Sequence, residues 1–81
     1  MKIQILGTGC TRCMDLTANA EKAVQELGIE ARVEKVTGIT DIMQFQILMT
    51  PGLVINGQVK AAGRIPSAEE IKRMLMAAGG D

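Results

Sequence analysis

The chain has 81 residues, with nine basic and nine acidic side chains, and 47% of its residues are hydrophobic. This length predicts one domain over residues 1–81, and the hydrophobic content is too high for a disordered chain. The formal net charge of zero offers no basic surface for nucleic acid, and no apolar run is long enough to span a membrane.

The first third of the chain predicts a strand, a glycine turn and a long helix. Residues 2–6 are compact and β-branched, which favours a buried strand, and Gly7-Thr8-Gly9 follows as a flexible turn. From residue 11 to residue 27, apolar side chains recur at spacings of three and four and so mark one face of a helix. They are Cys13, Leu16, Ala20, Val24 and Leu27. Gly28 is expected to end this helix in the left-handed conformation.

The middle of the chain predicts a strand followed by a second, shorter helix. Alternation of apolar and charged residues over 29–34 is typical of a half-buried strand, and Thr37-Gly38 should end it. Thr40 and Asp41 are suited to start a helix that runs to about residue 48. We expect this region to turn three side chains inward, namely Ile42, Phe45 and Met49.

The last third predicts a hairpin and a final helix. Residues 53–55 form an apolar run, Asn56-Gly57 is typical of a type I′ turn, and residues 58–62 return as the partner strand. Ser67-Ala68-Glu69-Glu70 is a capping box for a helix to about residue 78. The resulting order is βαβαββα. The first two strands should be parallel because a helix joins them, and the hairpin makes the last two antiparallel.

Two cysteines stand between the first strand and the first helix, in the segment Cys10-Thr11-Arg12-Cys13. They are the only cysteines of the chain, which has no histidine. A Cys-x-x-Cys pair that follows a strand and begins a helix is typical of a redox-active dithiol. The unpaired N–H groups and dipole of the helix start, with the charge of Arg12, favour a thiolate at Cys10. Cys13 lies one turn later on the apolar face, which suits the resolving thiol.

With these features, the chain resembles the thioredoxin superfamily, in particular its small, glutaredoxin-sized members with a redox-active disulfide. The resemblance spans essentially the whole chain. It is carried by Gly9-Cys10-Thr11-Arg12-Cys13, by Thr50-Pro51, by the Asn56-Gly57 hairpin and by Gly63 after the last strand. It implies a thioredoxin-like α/β fold, with a four-stranded mixed sheet flanked by three helices. It also implies that the Thr50–Pro51 peptide bond is cis and that Pro51 faces the dithiol.

Four features differ from the common patterns of that superfamily. Gly9 replaces the tryptophan that thioredoxins carry before the first cysteine, and Thr11-Arg12 replaces Gly-Pro between the pair. The motif has no aromatic residue, and Ala62-Gly63-Arg64 replaces the Gly-Gly-x-Asp-like turn of the glutaredoxin glutathione site. The electron donor, whether glutathione, thioredoxin reductase or another reductant, therefore stays open.

Five further residues are candidates for substrate or partner binding or for tuning of the dithiol. Pro51 has no N–H group, which leaves the backbone of Thr50 available to an extended partner segment. Arg12 lies within the cysteine motif, and Gly63 lies at the turn after the last strand. Arg64 is a candidate partner contact, with a solvated surface arginine as an equal alternative.

The pattern predicts a thiol–disulfide oxidoreductase that reduces protein or small-molecule disulfides through Cys10 and Cys13 and needs no cofactor. We expect a cytoplasmic monomer whose partners are protein disulfides and a reductase. The compartment follows from the strand-like start of the chain, which lacks the apolar core of a signal peptide, and from the use of a lone vicinal cysteine pair.

Two alternative functions stay open. Residues 7–13 look like the Gly-Met-Thr-Cys-x-x-Cys loop of copper chaperones, which would make the chain a soft-metal carrier through the same cysteines. Such a carrier should have the order βαββαβ, with a strand across residues 42–48. The other alternative is an interaction module that uses the dithiol as a redox sensor.

Overall fold

The computed structural model of the chain describes residues 1–7, 11–47 and 49–79. In chain order, the elements are β1 (Lys2–Leu6), α1 (Thr11–Leu27), β2 (Arg32–Val36), α2 (Ile39–Met43), β3 (Gly52–Ile55), β4 (Gln58–Ala62) and α3 (Ala68–Gly79). The predicted order βαβαββα is therefore confirmed. Among the described residues, no helix combines the length and the apolar character needed to cross a membrane.

Four strands form one mixed sheet in the order β2-β1-β3-β4. β1 pairs with β2 in parallel, with Leu6 opposite Val36, and with β3 in antiparallel, with Leu6 opposite Gly52. β3 and β4 form an antiparallel hairpin that pairs Gly52 with Ala62. The predicted parallel and antiparallel pairings are confirmed, and four strand ends meet at one edge of the sheet.

The helices cover both faces of the sheet unequally. α1 and α3 pack on one face and form the main core with β1, β3 and β4. Its buried side chains are Ile3, Ile5, Leu16, Ala20, Ala23, Leu53, Ile55, Ala61, Ile71 and Leu75. On the other face, Leu6 and Val54 pack against Ile42 of α2. Because both faces of β3 are covered, this strand is buried along its whole length and does not alternate in polarity.

β2 begins later than the alternation over residues 29–34 predicted. It runs from Arg32 to Val36, and its neighbour in the sheet is β1. Because β1 begins at Lys2, which lies opposite Arg32, residues 29–31 extend beyond the strand that could pair with them. Ile29 and Ala31 instead pack as partly buried side chains against the main core.

α2 is shorter than predicted, because it begins after the N-cap residue Gly38 and ends at Met43. The N–H groups of residues 44–46 bond to carbonyl oxygens three positions earlier, which tightens the chain. Gln46 then adopts a left-handed φ of 59°, which is incompatible with a continuing helix. The predicted helix end, Leu48, lies outside the described residues.

Two of the three side chains expected to point inward from this region do so. Ile42 is buried, and Phe45 is partly buried against the same cluster. The prediction for Met49 was wrong, because 61% of its surface is exposed. The helical spacing that would have carried Met49 inward is lost once the helix ends at Met43.

Three of the left-handed residues stand where the sequence predicted them. Gly28 ends α1 with a φ of 64°, and its N–H bonds to the Val24 carbonyl oxygen at 3.0 Å. Asn56 and Gly57 have φ values of 50° and 82°, as the two central residues of a type I′ turn require. The hairpin therefore has the predicted turn.

The capping box that begins α3 forms in part. The Ser67 hydroxyl accepts the N–H of Glu70 at 3.2 Å. The Glu70 carboxylate, which would complete the box, pairs with the Arg64 guanidinium at 2.7 Å. This pair ties the loop after β4 to the first turn of α3.

Candidate active site

The predicted site residues that the structure describes adjoin one edge of the sheet, where β1 and β4 end and β3 begins. Leu6, the last residue of β1, lies opposite Gly52, and Gly52 lies opposite Ala62 at the end of β4. Because of this register, the segment after β1, Pro51 before β3 and Gly63 after β4 leave the sheet side by side.

The structure describes one of the two motif cysteines. Cys10, with Thr8 and Gly9, lies outside the described residues, so its role as the attacking thiol stays a prediction. Cys13 lies in the first turn of α1 with 6% of its surface exposed, on the helix face that the apolar pattern predicted to be buried. Burial disfavours a charged thiolate relative to a neutral thiol. This environment suits the cysteine that acts second in an exchange reaction.

Gly7 makes room for the sulfur of Cys13. A Cβ atom on Gly7 would overlap Cys13 Sγ and would lie 3.3 Å from Cys13 Cβ. Gly7 also donates its N–H to the Val36 carbonyl oxygen at 3.0 Å, which extends the pairing of β1 with β2 by one residue. The sequence predicted only a flexible turn at Gly7. The available signal was a glycine directly after a strand, which often marks a close approach of other atoms.

Thr17 is a second neighbour of Cys13 that the sequence analysis missed. It is buried, and its hydroxyl donates to the Cys13 carbonyl oxygen at 2.8 Å. Threonine in a helix commonly bonds to the carbonyl four positions earlier, so the spacing from Cys13 to Thr17 was the usable signal. The bond holds the start of α1 where the cysteine motif enters the helix.

Pro51, Gly63 and Arg12 are linked by hydrogen bonds across the site. The Thr50–Pro51 peptide bond is cis, and Pro51 is fully buried. The Pro51 carbonyl oxygen accepts the N–H of Gly63 at 2.9 Å. The Gly63 carbonyl oxygen in turn accepts a hydrogen bond from the Arg12 guanidinium at 3.3 Å. These contacts join the start of α1 to both ends of the hairpin.

Gly63 has two reasons to be a glycine. Its φ of 77° lies in the left-handed region that side chains disfavour. In addition, a Cβ atom at this position would lie 2.9 Å from Met49 Cβ and 3.3 Å from Met49 Sδ. Met49 therefore packs against the turn after β4, while Thr50 between Met49 and Pro51 is exposed.

Arg64 lies outside this chain of contacts. Its guanidinium pairs with Glu70 at 2.7 Å, and this hydrogen bond raises the pKa of Arg64 and lowers the pKa of Glu70. The side chain thus serves the junction between the loop and α3. Of the two arginines that the sequence singled out, Arg12 is the one that contacts the other site residues.

A small cleft of about 30 Å³ opens beside Cys13, large enough for one or two water molecules. It is lined by Ile5, Gly7, Cys13, Met14, Thr17, Lys35 and Thr37. Met14 is also exposed, as are Ile39, Met43 and Met49. The end of the molecule that carries Cys13 therefore offers apolar side chains to solvent.

Comparison with known proteins supports the interpretation of this arrangement. The model of the Thioredoxin domain family matches residues 1–76. A thioredoxin of Methanothermobacter thermautotrophicus is 48% identical over 75 residues, which are 93% of this chain and 97% of that protein. A thioredoxin of Methanocaldococcus jannaschii is 44% identical over 73 residues, 90% of this chain and 84% of that protein. With its three helices and four-stranded mixed sheet in the thioredoxin-like fold, the chain belongs to the thioredoxin-domain family.

Proposed function

We propose that this chain reduces the disulfides of other proteins through Cys10 and Cys13. Membership of the thioredoxin family makes it a thiol–disulfide oxidoreductase. The observation that carries the finer proposal is the burial of Cys13 in the first turn of α1, at the end of the molecule where Pro51 and Gly63 also lie. No other thiols exist in the chain.

The reaction follows the chemistry of thiol–disulfide exchange. The Cys10 thiolate attacks one sulfur of the substrate disulfide, forms a mixed disulfide and releases the first substrate thiolate. The Cys13 thiolate then attacks Cys10 Sγ, forms the Cys10–Cys13 disulfide and releases the second substrate thiolate. The substrate gains two electrons and two protons, and the enzyme becomes oxidised. A separate reductant must return the dithiol to its starting state.

The surroundings of Cys13 support this division of roles. A buried thiol is hard to ionise and hard to reach, so it is a poor first nucleophile and is protected from unrelated disulfides. Once Cys10 Sγ is bonded to the substrate sulfur in the mixed disulfide, it becomes the target of Cys13, which lies three positions later in the sequence. Cys13 therefore acts only after Cys10 has captured the substrate.

Substrate binding would use the segment before β3. Thr50 is exposed, and the Pro51 that follows it offers no N–H group. A substrate segment in extended conformation can hydrogen-bond to the Thr50 backbone, and its disulfide would then lie at the end of the molecule that carries Cys13. The exposed apolar side chains there, Met14 and Met49 among them, add contact area without requiring a particular sequence.

The soft-metal carrier is disfavoured by the fold. Its expected order βαββαβ needs a strand across residues 42–48, and the structure has α2 through Met43 followed by tight turns. The redox-sensing module shares the fold and the dithiol with the proposed enzyme. Turnover distinguishes the sensor from the enzyme, because a sensor is oxidised once and does not reduce substrate repeatedly.

The test is substrate trapping combined with turnover. Wild-type protein should reduce insulin disulfides repeatedly in the presence of dithiothreitol, and Cys10→Ser should abolish this reduction. Cys13→Ser should also abolish turnover but should accumulate a mixed disulfide through Cys10, seen by mass spectrometry without reductant. Gly38→Ala, on the loop before α2, is the matched control and should keep wild-type turnover.

Three results would overturn the proposal or its division of roles between the cysteines. A mixed disulfide that accumulates in Cys10→Ser and is absent from Cys13→Ser would reverse the roles of the cysteines. Stoichiometric oxidation without repeated insulin reduction would favour the sensor, and retention of Cu(I) against a strong chelator without disulfide exchange would favour the carrier.

A further inference from the structure

We propose that Gly7 is a positioning residue of the dithiol, because its missing side chain provides the space in which the Cys13 sulfur lies. A Cβ atom on Gly7 would overlap Cys13 Sγ. The inference deepens the proposed function, since it concerns how Cys13 is held for its attack on Cys10.

Gly7 has little freedom to move away from the sulfur. The preceding residue, Leu6, is fully buried and is paired on both sides, with Val36 of β2 and Gly52 of β3. The Gly7 N–H itself is bound to the Val36 carbonyl oxygen at 3.0 Å. The backbone of Gly7 is therefore fixed by the pairings of β1 with β2 and β3.

The backbone of Cys13 is held equally firmly from the other side. The Thr17 hydroxyl binds the Cys13 carbonyl oxygen at 2.8 Å, and Leu16 of the same turn is fully buried in the main core. If neither backbone retreats, a side chain at Gly7 must be accommodated by the sulfur. Cys13 Sγ would rotate about the Cα–Cβ bond, and the cleft of about 30 Å³ beside it offers space for that rotation.

Rotation of this sulfur would affect one chemical step. In the resolving step, Cys13 thiolate must approach Cys10 Sγ in line with the bond to the departing substrate sulfur. The first step, attack by Cys10 on the substrate, does not require Cys13 Sγ at a particular place. Since misplacement of a reacting atom by about 1 Å can cost about 10²-fold in rate, Gly7→Ala should slow the resolving step strongly and the first step weakly.

The experiment separates these two steps with an aromatic disulfide, 5,5′-dithiobis(2-nitrobenzoate), mixed in equimolar amount with the reduced protein. The first thionitrobenzoate released reports attack by Cys10, and the second reports resolution by Cys13. Gly7→Ala should slow the second release by about 10²-fold and the first by less than about tenfold. Gly38→Ala is the matched control, because its φ of −74° suits any residue and the nearest atom to its Cβ, Asp41 Oδ2 at 3.1 Å, ends an exposed side chain.

A double-mutant cycle in urea denaturation tests the contact itself. Gly7→Ala should lower the denaturation midpoint of the wild-type protein, and this loss should largely disappear in the Cys13→Ala background, where the sulfur is absent. If Gly7→Ala alone does not fold, recovery of folding in the double variant supports the proposal. An equal loss in both backgrounds, or no recovery, would overturn it.

The failure of this inference is distinguishable from failure of the proposed function. If wild-type protein does not reduce insulin but the cycle shows coupling between residues 7 and 13, the contact stands and the enzyme proposal falls. If wild-type protein is active and Gly7→Ala releases both thionitrobenzoates at wild-type rates, Gly7 has no positioning role.

Discussion

The Arg12 guanidinium donates a hydrogen bond to the Gly63 carbonyl oxygen at 3.3 Å, although 51 positions separate the two residues in the chain. Arg12 belongs to the first turn of α1, and Gly63 follows β4, one of the two edge strands of the sheet. The bond spans from the cysteine motif to the turn that also binds the Pro51 carbonyl oxygen. Arg12 therefore has two separable properties, its charge two positions after Cys10 in the sequence and its hydrogen bond to Gly63.

Substitution of Arg12 should separate these two properties. Arg12→Gln removes the charge and should shift the pH dependence of Cys10 alkylation by iodoacetamide to higher pH, because a thiolate is less favoured. Arg12→Lys keeps the charge and should leave that midpoint near the wild-type value, although it loses the guanidinium contact. Identical midpoints in wild-type and Arg12→Gln protein would show that Arg12 does not act on Cys10 by charge.

Gly63→Ala should destabilise the protein for two physical reasons. An alanine in the left-handed region costs about 1–2 kcal/mol, and the new Cβ would also press on Met49 Cβ at 2.9 Å. Insulin reduction should fall as well, because the turn holds the Pro51 carbonyl oxygen and Arg12. Urea denaturation and turnover measure the two effects.

Gly57→Ala is the control for the Gly63 substitution. Gly57 has a φ of 82°, but no atom lies within 4 Å of a Cβ built there. It should therefore show the conformational cost of about 1–2 kcal/mol alone and keep wild-type turnover. Equal destabilisation and equal turnover in the two variants would show that the contact with Met49 contributes nothing.

The Arg64–Glu70 pair should contribute a pH-dependent part of the stability. The hydrogen bond from Arg64 lowers the pKa of Glu70 below 4.5, so the carboxylate is favoured in the folded state. This contribution to the stability is complete at pH values above the pKa of Glu70 in the unfolded chain. It is lost as the pH falls through the lower pKa of Glu70 in the folded protein. The stability difference between wild-type and Glu70→Gln protein should thus be present at pH 7 and shrink below about pH 4.5.

Arg64→Gln offers a check on the source of that pH dependence. It removes the same interaction from the other side, so the double variant Arg64→Gln/Glu70→Gln should show little further loss. The stability of each variant is measured by urea denaturation at several pH values. If the losses of stability from the two substitutions add up in the double variant, the Arg64–Glu70 pair is not the origin of the pH dependence.

Thr17→Val should cost about 0.5–1.5 kcal/mol, because it keeps the side-chain volume but removes the hydroxyl that donates to the Cys13 carbonyl oxygen. Thr17→Ser keeps this donor and loses a methyl group. If the hydroxyl helps to hold Cys13, release of the second thionitrobenzoate should slow in the valine variant and stay near the wild-type rate in the serine variant. Slowing in both variants would point to packing of the methyl group instead.

Local patterns in the sequence predicted most of the fold. The apolar spacing predicted α1 from Thr11 to Leu27, and Asn56-Gly57 predicted the hairpin, since each pattern reports conformational preferences of neighbouring residues. The predicted start of β2 and the predicted end of α2 were wrong. The start of β2 depends on where β1 begins. The end of α2 depends on the left-handed Gln46, which no spacing rule indicates.

The composition of the candidate site was predicted better than its geometry. The cysteine motif, Pro51, Gly63 and Arg12 could be chosen from short motifs and from the family resemblance. The close packing of the Cys13 sulfur against Gly7 and the hydrogen bond between Arg12 and Gly63 could not, because each depends on how α1 lies against the sheet. Contacts of that kind exist only after the whole chain has folded.

The helices cover the two faces of the sheet unequally. The free energy of local unfolding should therefore differ between the elements on the two faces. Among the described residues, the face under α2 is held by three buried side chains, Leu6, Ile42 and Val54, whereas α1 and α3 together seal the opposite face. Elements that bury little apolar surface open at lower free energy, so amide hydrogens of α2 should exchange faster than those of α1. A partner protein that binds to the exposed Ile39 and Met43 would contact α2, the helix that should change conformation more easily. The helix that carries Cys13, α1, would keep its position.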